Sequence, residues 1–567
     1  MNYKTSWFGR QKRFNVPQLF SVLIIIFFGI ALIHKLGTVP NLEIDEVTYM
    51  NEIRSLVKYG TDIHGLSWPV YFAGIFGYGQ SVEYAYFALP LIKVIGFSIA
   101  KVRLPMVLLT LLTMAMLVWL VYDQEKQKSL GFWLMLSLSC SPWIFISARW
   151  ILDCNIAPVT FVLGLILLCQ AWRFEARGGR IACYTLSALL IAFSVAGYMA
   201  GWLYIPIVLI LVVIYALKRH VMSEKVIVSY GILILACVMP LIAFAYNFLI
   251  VKRATPGHFF WFSYPPMPIL RGTSFINFQD PHLFKLMFLN FITGINNYIS
   301  GNDGLAWNSV GPYGVVFPFL LILAILGILT PRDLLNENTY HFKNIIIISL
   351  IAFLPLMFVI TPNYNHWNFV NWLLAILIGF GFYYLQERLA NKLAIVIALT
   401  TAFTMLMFVN LGYYGRLNNG TSYFTSRDVS RGNLRTIDHL LKPKNKHSPR
   451  LFILDLRVKS LQAYAMLADV QPISNQTMLS RSDDKQNFDL INMSSHHRYG
   501  NIYDSSLLQK KYRKGDYLLV RTDDQGLVRS HDGKFMVKEN VQHKESKYRV
   551  IQRLSYMNIP FMLLRED

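Results

Sequence analysis

Long apolar runs alternate with short polar segments through the first 411 residues. Eleven of them are long enough to cross a bilayer, at about 17–33, 104–122, 130–147, 156–171, 181–199, 201–217, 226–250, 312–330, 344–361, 368–386 and 393–411. A helix needs about 20 apolar residues to span the hydrocarbon layer. Two further stretches, 84–100 and 282–299, are apolar but carry Lys93 and Pro90, or His282 and Lys285. They are expected to be helices lying in the interface with one apolar face; counted as spans, they would raise the total to thirteen.

Basic residues fix the sidedness. Lys4, Arg10, Lys12 and Arg13 precede the first run, and every second connection after it carries Lys or Arg: 122–129, 172–180, 218–225, 330–343 and 386–392. By the positive-inside rule these segments are cytoplasmic. The opposite loops, 34–103, 148–155, 199–201, 251–311 and 362–367, then lie outside together with everything from 412 onward. The first and fourth of these loops are about 70 and 60 residues long, and connections of that length usually carry function. The segment 412–567 is polar and basic, with strand-like runs at 450–458 and 516–522 and a helical pattern at 432–442. The expected architecture is therefore an α-helical polytopic membrane domain over 1–411 and a small extracytoplasmic α/β domain over 412–567. The N-terminus is expected to be cytoplasmic and the membrane the plasma membrane.

Composition agrees with this reading. Of 567 residues 54% are hydrophobic and 15% charged, and the mean hydropathy is +0.40; soluble domains carry about 25% charged residues. The net charge of +21 follows from the cytoplasmic loops and the basic tail. The excess is spread along the chain with no stacking module, which argues against nucleic acid as a partner. All five cysteines lie in or beside apolar runs, and the tail has none, so no disulfide framework is expected there.

The ionisable residues of interest sit at span ends on one side. Asp45 and Glu46 follow the first span in "NLEIDEVTYM". Arg149 and Asp153 fall in "SPWIFISARWILDCNIAP", and Asn365 and His366 in "TPNYNHWNFVNW". A carboxylate fixed at a helix end can serve as a general base toward a hydroxyl. A second carboxylate could share that task or bind a divalent cation through oxygen. Arginine can grip a phosphate through two parallel hydrogen bonds. The pattern points to transfer of a group from a lipid phosphate to a hydroxyl. Bland roles compete with it: an Asp-Glu pair outside a span often caps a helix, and an arginine at a helix end often anchors to headgroups.

The sequence resembles the GT-C glycosyltransferases of the protein-mannosyltransferase and aminoarabinose-transferase type. The resemblance rests on Asp45-Glu46-x-x-Tyr49 after the first span, "YGTDIHG", "GYGQSVEYAYFALPLIKVIGFSIAKVRLP", the second outer loop with its acid, "GNDGLAWNSVGPYGVVFPF" and "NYNHWNFVNW". It covers about residues 10–415. It implies a polyprenyl-phosphate-sugar donor, a glycan, lipid or protein acceptor, an outward-facing site among membrane lipid, and a metal requirement (Mg or Mn) that varies within the group. Asp45 takes the place of the catalytic base, with Glu46 beside it, and Asp153 that of the second acid; these two aspartates would hold a metal. Arg149, Arg103 and His366 are the candidates for the donor phosphate. Tyr49, Gln80, Glu83, His258 and Asn365 are candidates for contacting substrate. The acidic-basic pair of the aminoarabinose branch falls on Gln80 and Ser81, neither of which is charged. Two other readings stay open. A flippase for a lipid-linked precursor predicts paired repeats and broken helices with central polar groups, which are not evident. A non-catalytic scaffold would bind anionic wall polymer through the basic tail.

Overall fold

The computed structural model describes residues 16–415 apart from 41–43, 63–64, 74–78, 123–126, 128, 252–256 and 266–274, and beyond 415 it describes strand segments between 450 and 566. The helices in chain order are α1 (Val16–Ile33), α2 (Ile44–Tyr59), α3 (Glu83–Ile95), α4 (Ile99–Val121), α5 (Leu130–Ser139), α6 (Pro142–Ser147), α7 (Asp153–Arg173), α8 (Arg177–Val195), α9 (Met199–Lys218) and α10 (Glu224–Tyr246). They continue with α11 (Leu283–Ser300), α12 (Leu321–Leu329), α13 (Glu337–Val359), α14 (Asn368–Tyr384) and α15 (Asn391–Met407). Two short antiparallel hairpins lie between them, β1–β2 (Tyr71–Phe72, Gln80–Ser81) and β3–β4 (Gly257–Phe259, Phe262–Tyr264).

Among the described residues nine helices are long and apolar enough to cross a membrane. Two of the expected spans are shorter helices. The run at 130–147 is broken where Ser141 caps α6 by accepting from Ile144 N at 3.3 Å with Pro142 just inside the helix, an arrangement that favours a fresh helix start. The run at 312–330 becomes helical only from Pro318. The stretches 84–100 and 282–299 appear as α3 and α11, neither of which meets the criterion for crossing. The chain is thus an α-helical polytopic membrane protein, as its apolar pattern predicted.

Helix α7 is the axis of the bundle. Its spanning stretch is buried throughout, and that of α14 is 89% buried, whereas α10 is 11% buried and α15 22%. The outer helices present leucines and isoleucines outward, as lipid-facing surfaces do. Glycines let the central helices approach. A Cβ on Gly327 would stand 1.9 Å from Leu377 O, and one on Gly381 1.8 Å from Leu323 O, so α12 and α14 pack backbone to backbone. Where α7 meets α8, Ser187 Oγ donates to Gly164 O at 2.7 Å.

Beyond residue 415 the described strands form one mixed sheet. They are β5 (Leu451–Ile453), β6 (Arg498–Tyr499), β7 (Ile502–Asp504), β8 (Tyr517–Arg521), β9 (Leu527–Arg529), β10 (Phe535–Val537), β11 (Tyr548–Tyr556) and β12 (Ile559–Glu566), in spatial order β6-β7-β5-β8-β12-β11-β10-β9. Strand β5 runs parallel to β7 and β8, and the other pairings are antiparallel. Asp516 pins the start of β8 to β5 by accepting from Arg450 N, Nε and Nη2 at 3.0, 3.0 and 2.6 Å. The strands expected at 450–458 and 516–522 correspond to β5 and β8; the helix expected at 432–442 lies outside the described residues.

Candidate active site at one end of the bundle

Asp45 and Glu46 occupy the first turn of α2, where the helix dipole favours carboxylates. Consecutive residues on a helix point about 100° apart, so the two acids face different surroundings. Glu46 has no exposed surface and is gripped by Arg103, Nε to Oε1 at 2.7 Å and Nη2 to Oε2 at 2.6 Å. Arg103 Nη1 donates to Leu36 O at 2.8 Å and to Pro40 O at 2.9 Å, and Ile151 N donates to Glu46 Oε1 at 3.3 Å. Glu46, placed in the catalytic set, and Arg103, placed on the donor phosphate, neutralise each other inside the protein. Together they weld α2, α4 and the 149–152 turn. Asp45 is half-buried, and its backbone carbonyl accepts from Gln80 Nε2 at 3.0 Å.

Tyr49 follows Asp45 by one helical turn. It is buried, and its hydroxyl bonds to Ser81 O and, at 2.9 Å, to Ser81 Oγ. Burial and the charge of Asp153 hold its phenol well above the usual range. Tyr49 and Gln80 therefore tie the β1–β2 hairpin to α2. Glu83, the first residue of α3, has no exposed surface and lies 2.7 Å from Thr160 Oγ1 on α7. Neither Tyr49 nor Glu83 reaches the surface.

Arg149 is likewise engaged by protein. Its five N–H donors all meet protein acceptors: Nε meets Tyr413 Oη at 3.3 Å, Nη1 meets Ala31 O at 3.0 Å and Leu32 O, and Nη2 meets His34 O at 2.8 Å and Val39 O at 2.7 Å. The last carbonyls of a helix lack intrahelical partners, and one buried guanidinium supplies them at the end of α1. Its planar fork is thereby engaged by four backbone carbonyls and the Tyr413 hydroxyl.

Asp153 opens α7 and is 8% exposed. Its Oδ1 accepts from Cys154 N at 2.8 Å, and its charge raises the pKa of both Tyr49 and Glu83. The start of α7 therefore lies beside α2 and α3. The 361–367 loop joins the same end. Asn365 Oδ1 lies 3.6 Å from Cys154 Sγ, and Asn368 Nδ2 donates to Cys154 O and, at 3.1 Å, to Asn155 Oδ1. His366 Nδ1 lies 2.7 Å from Thr361 O and 3.1 Å from Asn363 Nδ2. His258 sits exposed on the β3–β4 hairpin with Nδ1 3.2 Å from Ser263 Oγ, and that hairpin pairs with residues 68–70. Its described contacts hold it in this rim and not against Asp45 or Asp153.

One residue carries a role that the sequence did not reveal. Asp303 Oδ2 accepts from Tyr364 N at 2.9 Å and from Asn308 Nδ2 at 2.6 Å, and Oδ1 accepts from Leu305 N at 3.1 Å. It stands in a segment already singled out, "GNDGLAWNS", but its partner lies 61 positions away. Burial raises its carboxyl pKa above the usual value against the pull of these donors. Among the described residues no three His, Cys, Asp or Glu side chains come together so as to hold a metal ion. Asp45 and Asp153 make no such set, and we assign no step to a metal.

No protein-family model matches the chain, and no curated protein matches it in sequence. Solved structures do match. ArnT from Cupriavidus metallidurans bound to undecaprenyl phosphate aligns with a TM-score of 0.55 and 11% identity, over 96% of this chain and 97% of that one. Its apo form aligns with a TM-score of 0.53 at the same identity and coverage. Arabinosyltransferase EmbB from Mycobacterium smegmatis aligns with a TM-score of 0.38 over 90% of this chain and 44% of that one. At such identity the likeness is one of fold. The chain shares the fold of the ArnT structures over nearly all its length.

Proposed function

We propose that the chain is a membrane glycosyltransferase that moves a sugar from a polyprenyl-phosphate donor to a hydroxyl of a cell-envelope acceptor. The single observation that carries this reading is the gathering of Asp45, Asp153 and the 361–367 loop at one end of a GT-C bundle. The solved structure with undecaprenyl phosphate bound supports a donor of that class.

In this reaction Asp45 accepts the proton of the acceptor hydroxyl as that oxygen attacks the anomeric carbon. The bond from that carbon to the phosphate oxygen breaks, and the polyprenyl phosphate leaves with the electron pair. One displacement inverts the anomeric centre. Phosphate is a good leaving group and needs no strong general acid. Asp153, buried at the start of α7, orients the acceptor. With Arg103 and Arg149 bound to protein, His366 is the basic side chain left from the sequence candidates for the phosphate, and Asn365 stands beside it. The lipid of the donor lies among the spans. The site faces outward, with the N-terminus cytoplasmic and the sheet domain extracytoplasmic, as the charge pattern of the loops supports.

The test is sugar transfer by purified protein from a panel of radiolabelled polyprenyl-phosphate sugars, comparing wild type with Asp45→Asn, with and without EDTA. Turnover lost in a folded Asp45→Asn supports the base, and the active donor names the sugar. Turnover unchanged in that variant removes Asp45 from the role. A response to EDTA would show a metal requirement.

A further inference from the structure

Glu83 stands apart among the acids at this end of the bundle. It is fully buried, and among the described residues no Lys, Arg or His forms an ion pair with it. Its Oε1 lies 2.7 Å from Thr160 Oγ1, and its Oε2 is buried without a hydrogen-bond partner. Around Oε2 the packing is tight. A Cβ on Gly197, in the α8–α9 turn, would stand 1.6 Å from Glu83 Oε2 and 2.7 Å from Ala157 Cβ. A glycine is thus required to seat this carboxyl against α7 and the turn.

An ionised carboxylate in such a place would be costly, with one neutral hydroxyl as its partner. Thr160 makes the same point from its side. Its Oγ1 also lies 3.1 Å from Ala157 O and 3.3 Å from Ile156 O. The threonine proton can go to a helix carbonyl, which leaves Oγ1 able to accept a proton from Glu83 across the 2.7 Å contact. The titratable groups acting on Glu83 are Asp153 on α7, whose charge disfavours a second negative charge, and Tyr49 on α2; the α8–α9 turn brings a glycine. Burial is the largest cause holding the Glu83 carboxyl well above its usual range.

Asp153, Ala157 and Thr160 are spaced four and three residues apart and share one face of α7. The Glu83–Thr160 contact therefore sets how close the segment carrying Gln80 and Ser81 comes to Asp153. We propose that Glu83 is a neutral carboxylic acid and a positioning residue: as a proton-bearing anchor on Thr160 and Gly197, it fixes the β2–α3 segment, and through Tyr49 the base Asp45, at its working distance from Asp153. The positioning role rests on the glycosyl-transfer reading; the protonation state does not.

The test has two arms on the full chain. Infrared difference spectra of wild type against Glu83→Gln, in H2O and D2O at neutral pH, should contain a protonated-carboxyl band in wild type that the variant lacks. Absence of that band overturns the proposal. In the transfer assay Glu83→Gln, which mimics the neutral acid, should keep wild-type kcat and donor KM. Glu83→Ala and Gly197→Ala should lower kcat roughly 100-fold, the scale of a misplacement of about 1 Å, with donor KM little changed. A folded Glu83→Gln that is inactive would show that the charge is needed and would also overturn the proposal. If wild type transfers no sugar at all, the glycosyl-transfer reading fails while the infrared band still decides the state of Glu83.

Discussion

Arg103 and Glu46 hold each other through two parallel hydrogen bonds of 2.7 and 2.6 Å, with no surface exposed on either side chain. The residue next to Glu46 is Asp45, so two adjacent acids of one helical turn stand in different surroundings, one fully buried and one half-buried. Breaking a buried pair by removing one partner costs about 3–5 kcal/mol. We expect Glu46→Gln and Arg103→Met each to lower the melting temperature in detergent sharply, and the double variant to lose less than the sum. A Glu46→Gln protein as stable as wild type but inactive would return Glu46 to the catalytic set.

Arg149→Lys should behave as a folding defect. Lysine offers three donors on a point charge where arginine offers five in a plane, so carbonyls at the end of α1 lose their partners. Each buried group left unsatisfied costs about 1–3 kcal/mol. Thermal melts should fall, and the protein that remains folded should keep the donor KM of wild type. A well-folded variant with a greatly raised donor KM would instead place Arg149 on the phosphate.

Gly294 faces the ring of Trp367, and a Cβ there would stand 1.9 Å from it. Gly294→Ala must push either α11 or the end of the 361–367 loop. Overpacking of this kind costs about 1–3 kcal/mol. We expect a changed tryptophan fluorescence spectrum and slower sugar transfer. An unchanged spectrum with full activity would show that the loop is not held by this contact.

Asp303→Asn replaces one of two accepting oxygens by an NH2 that cannot accept, so at least one of three N–H donors loses its partner, at about 1–3 kcal/mol. The variant should be less stable and transfer sugar more slowly, because Tyr364 N loses its anchor. The pH dependence has a definite sign. The folded carboxyl is raised above the ordinary value of 3.8, so the folded state keeps its proton to higher pH than the unfolded chain. The stability linked to this proton is fully present below 3.8 and is lost as pH rises through the folded value. The margin of wild type over Asp303→Asn, followed by melts from acid to neutral pH, should therefore shrink as pH rises. A margin that grows with pH would show that the donors outweigh burial.

The helices were legible because membrane spans write themselves in long apolar runs, and all eleven runs contain helix. The break at Ser141-Pro142 was masked by the apolar residues on both sides, although a serine before a proline is a helix start in its own right. The end of the bundle that gathers polar chemistry was legible from loop alternation. The roles of its arginines were not. Arg149 and Arg103 stand where a phosphate ligand could stand, and only the folded geometry reveals the carbonyls of residues 31, 32, 34, 36, 39 and 40 that use their N–H groups. Nor can local pattern disclose Asp303, whose partner lies in another loop.

Arg149 also joins the two ends of the membrane region. Its guanidinium lies 5.4 Å from the ring of Tyr413 and 5.6 Å from that of Tyr414, while Tyr414 Oη donates to His34 O at 2.9 Å. The first span and the last are thus clasped around a residue from the middle of the domain. Spans enter a membrane in the order in which the ribosome makes them. The arginine and the first helix are in place long before the tyrosines that complete their seat. This end of the bundle is finished only by the last helix, so the clasp marks a fully inserted chain, and a chain cut short before residue 413 would reach the membrane with its first helix capped but its ring open.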